Sequence, residues 1–80
     1  MGRERPVSDK EFKSVLKHLG FEPRDKKGTS HEQWVRGSGK EFLRVTVDPH
    51  HEPYHRELLG LMLKQAGLSK SRFFDILDAL

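Results

Sequence analysis

Apolar side chains recur with helical spacing in three stretches of the chain and alternate with polar ones in between. Phe12, Val15, Leu16 and Leu19 fall at i, i+3, i+4 and i+7, the spacing of one buried helical face. Ser8 stands where an N-cap belongs, and Glu11 three positions on completes a capping box. Gly20 occupies the place of a left-handed C-terminal cap. On another side of this helix Lys10, Lys13 and Lys17 form a basic stripe. Residues 1–7 show no periodicity and read as a flexible lead, with a single domain over 8–80.

The middle of the chain changes period. Phe21 to Asp25 is interrupted by Pro23, which confines any strand there to a sheet edge. Lys26-Lys27-Gly28-Thr29-Ser30 reads as a turn. His31 to Arg36 and Glu41 to Val47 are strand-like, and Gly37-Ser38-Gly39-Lys40 is a hairpin connection between them. Leu43, Val45 and Val47 share one face of the later strand. In the earlier one, parity groups His31 with Gln33 and Val35, and Trp34 with Ser30, Glu32 and Arg36. Parity alone leaves open which set faces the helices.

Asp48 to Pro53 is a loop, and a second helix is expected from about Tyr54 to Ala66 with Gly67 as its stop. Leu59, Met62, Leu63 and Ala66 form its stripe, and Leu58 and Leu61 widen the arc. Ser69 or Ser71 caps a short third helix with Phe73, Phe74, Ile76, Leu77 and Leu80 on its apolar face. The order α-β-β-β-α with an extra C-terminal helix predicts an α+β sandwich: a three-stranded antiparallel sheet with helices on one face.

Eighty residues allow one small core. The absence of cysteine removes disulfides and thiolate chemistry, and suits a reducing cytoplasm. No apolar run has the length of a membrane span. A small, soluble, cytoplasmic protein with no membrane partner is expected. The net charge of +3 is unevenly spread: residues 1–44 hold eleven Lys/Arg against seven Asp/Glu, and the remainder four against five. A basic half facing a phosphate backbone fits that distribution, as does a solvated charged surface.

Catalytic options are few. Gly37-Ser38-Gly39 lacks the helix and following residues of a phosphate-binding loop, the carboxylates are scattered, and no serine sits in a nucleophile elbow. No cofactor is expected. His50, His51 and His55 suggest a metal cluster, but adjacent loop histidines point apart, and a solvated loop without metal is the favoured reading. His31 follows a basic turn and opens a strand, so it can reach a phosphodiester while Arg24, Lys26 and Lys27 hold phosphates. Trp34 either stacks on a base or fills the core, and the core is favoured.

Four stretches together resemble the HicA family of small toxin endoribonucleases. They are the helix ending in Leu19-Gly20-Phe21, the segment Lys27-Gly28-Thr29-Ser30-His31-Glu32-Gln33-Trp34, the segment Val45-Thr46-Val47-Asp48-Pro49-His50-His51, and the helix end Met62-Leu63-Lys64-Gln65-Ala66-Gly67-Leu68-Ser69. The second is similar to the family's Gly-Ser-His strand, the third to its Val-Pro-x-His ending and the fourth to its Leu-Lys-Gln-Ala-Gly terminus. Thr29 is inserted before Ser30, Arg36-Gly37-Ser38-Gly39 replaces the usual hairpin, and the extra Asp48 leaves either His50 or His51 as the matching histidine. The resemblance implies a double-stranded RNA-binding-domain-like fold and metal-independent cleavage of mRNA with His31 as the catalytic residue. It also implies a HicB-type antitoxin as partner. Lys10, Lys13, Lys17, Arg24, Lys26, Lys27, Ser30 and Trp34 are the expected RNA contacts. A non-catalytic RNA-binding module on the same fold, or a protein-interaction scaffold, are the alternatives.

Overall fold

The computed structural model describes residues 5–24 and 31–80. Lys26, Lys27 and Ser30 lie outside the described residues. The first helix, α1 (Asp9–His18), begins where its sequence signals place it. The Ser8 hydroxyl accepts the Glu11 N–H, the Glu11 carboxylate accepts the Ser8 N–H, and Phe12, Val15 and Leu16 are buried. Gly20 follows at φ 92°, a conformation that L side chains resist.

Three strands form one antiparallel sheet in the order β1 (Glu22–Pro23), β2 (Glu32–Arg36) and β3 (Leu43–Val47). β1 is short and at the edge, as its proline requires. Trp34, Val45 and Val47 are buried on the face that meets the helices, which settles the parity left open by the sequence. His31 and Gln33 belong to the opposite parity. The connection from β2 to β3 is longer than the expected four residues, because Gly39–Glu41 forms a 3₁₀ turn and β3 starts at Leu43 rather than Glu41. Gly37, at φ 82°, has the Glu41 carbonyl 2.5 Å from where a Cβ would sit, so the connection admits no side chain there.

The second helix, α2 (Arg56–Gln65), starts two residues later than expected, with His55 at its N-cap. Tyr54 instead pairs with Val7 in a two-way backbone bridge, N–H to carbonyl at 3.1 and 2.7 Å. Val7, placed in the flexible lead by sequence, is fully buried. One apolar residue beside a paired backbone suffices to bring it into the fold. Ser69 caps α3 (Lys70–Ala79), whose Phe73 packs on Phe12 and Phe74 with ring centroids 5.6 and 5.2 Å apart. Two expected core residues are exposed: Leu61 at 62% and Leu80 at 59%. Leu61 lies off the stripe of Leu59, Met62, Leu63 and Ala66, and Leu80 is beyond the last turn of α3.

Tyr54 joins the bridge to α1. Its ring is edge-on to Phe12, its hydroxyl donates to Asp9 Oδ1 at 2.7 Å, and the same oxygen lies 3.3 Å from the Asp48 carbonyl. Burial and the Asp9 carboxylate push the hydroxyl well above its ordinary value. A raised folded-state value means that stability is held at neutral pH and declines once the unfolded phenol ionises, above about pH 10. Tyr54 is the chain's single tyrosine, so the near-ultraviolet absorbance gained on phenolate formation comes from it alone, over a constant background from Trp34. On alkaline titration, phenolate should appear together with loss of helical circular dichroism; phenolate in a folded protein would contradict the buried bond. Tyr54→Phe should cost about 1.5–3 kcal/mol in urea unfolding at neutral pH.

Candidate active site

The β2–β3 ladder pairs Glu32 with Val47. One step further along the same register sets His31 across from Asp48, and the side chains meet: His31 Nε2 lies 3.0 Å from Asp48 Oδ2. Asp48 also caps the following 3₁₀ turn (Pro49–His51), its Oδ1 accepting the His50 N–H at 3.0 Å. Pro49 opens that turn with a fixed φ, and the His51 N–H closes it on the Asp48 carbonyl. The turn carries the His51 ring back over Asp48, with Nε2 3.4 Å from the same Oδ2.

Two imidazoles therefore flank one carboxylate oxygen. The His31 and His51 side chains are 55% and 65% exposed, while Asp48 beneath them is only 15% exposed. Burial alone would raise the Asp48 carboxyl, but the His50 N–H and the neighbouring histidines outweigh it and hold the group below the usual aspartate range. An ionised Asp48 keeps the proton of neutral His31 on Nε2, so Nδ1 is the basic nitrogen of that ring. The pair borders a groove of about 230 Å³ walled by Thr46, Tyr54, Leu58, Leu61, Met62 and Gln65. Gln65 Oε1 accepts the Thr46 N–H at 3.0 Å, which ties α2 to the outer edge of β3 along this wall.

The expected RNA contacts fare differently. Lys10 and Lys17 are exposed on α1. Lys13 is committed: its ammonium lies 2.8 Å from Asp9 Oδ2 and 3.0 Å from Glu32 Oε2, so the basic stripe is interrupted. Burial disfavours its charge, yet the two carboxylates more than compensate and raise its value. Glu32 shares the helix-facing side with Trp34, and a carboxylate there requires a cation. Trp34 is 3% exposed and donates its indole N–H to Glu32 Oε1, so the stacking role is replaced by the core role. The Arg24 backbone N–H donates to the Gln33 carbonyl at 2.7 Å, two residues from His31, but the guanidinium extends over the Phe42 ring beside the β2–β3 connection. It does not converge on the histidine pair.

Asp48 and the choice of His51 over His50 were missed at the sequence level. The signal was present as Asp-Pro followed by histidine at i+3, a capped 3₁₀ turn, but its use depended on the strand register. Among the described residues no group of three or more His, Asp or Glu is arranged to hold a metal ion. No helix among them is long and apolar enough to cross a membrane.

A family model described as the HicA toxin of bacterial toxin-antitoxin matches residues 10–68. No curated protein and no solved structure matches the chain. The matched span contains α1 from its second residue, the sheet, both histidines of the pair and α2.

The depressed Asp48 value has a definite sign. Its contribution to stability is present above the unfolded aspartate value and lost as pH falls through the folded one. Asp48→Asn should lower the urea midpoint at neutral pH and much less in acid, where the wild-type carboxyl is itself protonated. Equal losses at both pH values would show that the charge is not what joins His31 to the turn.

Proposed function

The chain belongs to the HicA toxin family of bacterial toxin–antitoxin systems, and on that footing we propose that it is a metal-independent endoribonuclease. In this reading it cleaves mRNA with His31 as the catalytic acid–base residue and is restrained by a HicB-type antitoxin. Ribonuclease activity is a property of the family, and a toxin of this kind has an antitoxin partner. The observation that supports the finer reading is the His31 ring, exposed beside a groove and held through Nε2 by a charged Asp48.

RNA carries its own nucleophile in the 2′-hydroxyl, so the protein need only remove a proton, orient the phosphate and offset developing charge. His31 Nδ1 takes the 2′-proton, and Asp48 fixes the ring and offsets the imidazolium that forms, as a carboxylate does behind any histidine base. Asp48 acts through His31 and is a positioning residue. Lys10 and Lys17 on α1, with Lys26, Lys27 and Ser30 ahead of His31, are the proposed phosphate contacts. The products are a 2′,3′-cyclic phosphate and a 5′-hydroxyl.

Incubated with mRNA in excess chelator, the purified protein should produce fragments ending in 2′,3′-cyclic phosphate. His31→Ala should slow this by about 10²- to 10⁴-fold while leaving the circular dichroism spectrum intact. His55→Ala, at the start of α2, should cut normally. Addition of the antitoxin should stop cleavage by the wild type. RNA that binds in a salt-sensitive way and stays whole would instead identify a binding module.

A further inference from the structure

We infer that His51 is the second acid–base group of the site, the general acid that protonates the departing 5′-oxygen. This rests on the ribonuclease reading above and assigns the other half of the proton traffic. Three observations carry it. His31 and His51 approach the same Asp48 oxygen, at 3.0 and 3.4 Å, so their rings stand within two hydrogen-bond lengths of each other. They come from separate segments, the residue before β2 and the 3₁₀ turn, so each ring is held independently of the other. Both line the same groove, and both are more than half exposed. His50 does not line the groove, and its hydrogen bond to Asp48 is through the backbone N–H.

Transphosphorylation places the entering 2′-oxygen and the leaving 5′-oxygen on opposite sides of phosphorus, so one side needs a base and the other an acid. The step requires one ring neutral and the other protonated at its start, and the shared carboxylate can offset a single imidazolium. The other polar groups around the pair are already engaged. The Tyr54 hydroxyl donates to Asp9, the Asp9 carboxylate also holds Lys13, and Glu52 accepts the Asp9 N–H. Gln65 is uncharged and bonded to Thr46.

In the step itself, the 2′-oxygen–phosphorus bond forms as the phosphorus–5′-oxygen bond breaks. The 2′-proton passes to His31 and the His51 proton passes to the 5′-oxygen. The two rings end with their protonation exchanged, and solvent restores them.

A bridging 5′-sulfur at the scissile position separates the roles, because a thiolate departs without a proton. An oligoribonucleotide with one mapped cleavage site is prepared with oxygen or sulfur at that bridge. His51→Ala should cleave the oxygen substrate about 10²- to 10⁴-fold more slowly than wild type, yet cleave the sulfur substrate within a few-fold of it. His31→Ala should be slow on both, and His51→Gln should repeat the alanine pattern. Equal slowing of His51→Ala on both substrates, or full activity on the oxygen substrate, overturns the assignment while leaving the ribonuclease reading in place. A wild type that cleaves neither substrate nor any mRNA overturns both.

Discussion

The register of one strand pair governs this molecule. Because Glu32 lies opposite Val47, the residues just beyond the ladder are His31 and Asp48, and a histidine from one strand meets a carboxylate from the next. A slip by one residue would turn either Trp34, or Val45 and Val47 together, away from the helices. Burial of those side chains therefore holds the register, and the register holds the histidine. Core packing and the geometry of the candidate site are here a single constraint, set by side chains that do not line the groove.

A second layer of polar contacts fixes the turn that follows. Glu52, Asp9, Lys13, Glu32 and the Trp34 indole form a continuous chain of hydrogen bonds and ion pairs between the loop, α1 and β2. Tyr54 enters it through Asp9 and reaches the Asp48 carbonyl. The Asp9 and Glu32 carboxylates share the Lys13 ammonium, so their partial burial is tolerated. The consequence for function is a loss of positive charge: Lys13 serves the fold, and the cations of α1 left facing solvent are Lys10 and Lys17. Electrostatic attraction of RNA would then rest on separate lysines rather than on a continuous stripe.

Much of the fold is legible in the sequence because local signals agree. The capping box at Ser8, the stripe of α1, the proline in β1 and the cap at Ser69 each act over a few residues. What escaped notice depends on distant contacts. Val7 is one apolar residue in a charged lead, and only its backbone bridge to Tyr54 draws it into the core. The site was half visible. His31 stands out by its basic surroundings, but a four-residue connection would have paired Arg36 with Glu41 and set His31 opposite Thr46. The 3₁₀ turn at Gly39–Glu41 lengthens the connection, and Asp48 takes that place. The same shift brings the capped turn of Pro49–His51 alongside and distinguishes His51 from His50.

The proposed reading takes RNA as the ligand, supported by family membership, an exposed groove and a histidine held by a carboxylate. The central claim is that His31, Asp48 and His51 act as one site. It is tested most directly by following the imidazole resonances of the five histidines by NMR while titrating an uncleavable 2′-O-methyl RNA. The account predicts that His31 and His51 shift together, with one saturation curve, while His55 at the start of α2 stays in place. Unmoved His31 and His51 signals at saturation, or separate curves for the two, would contradict it.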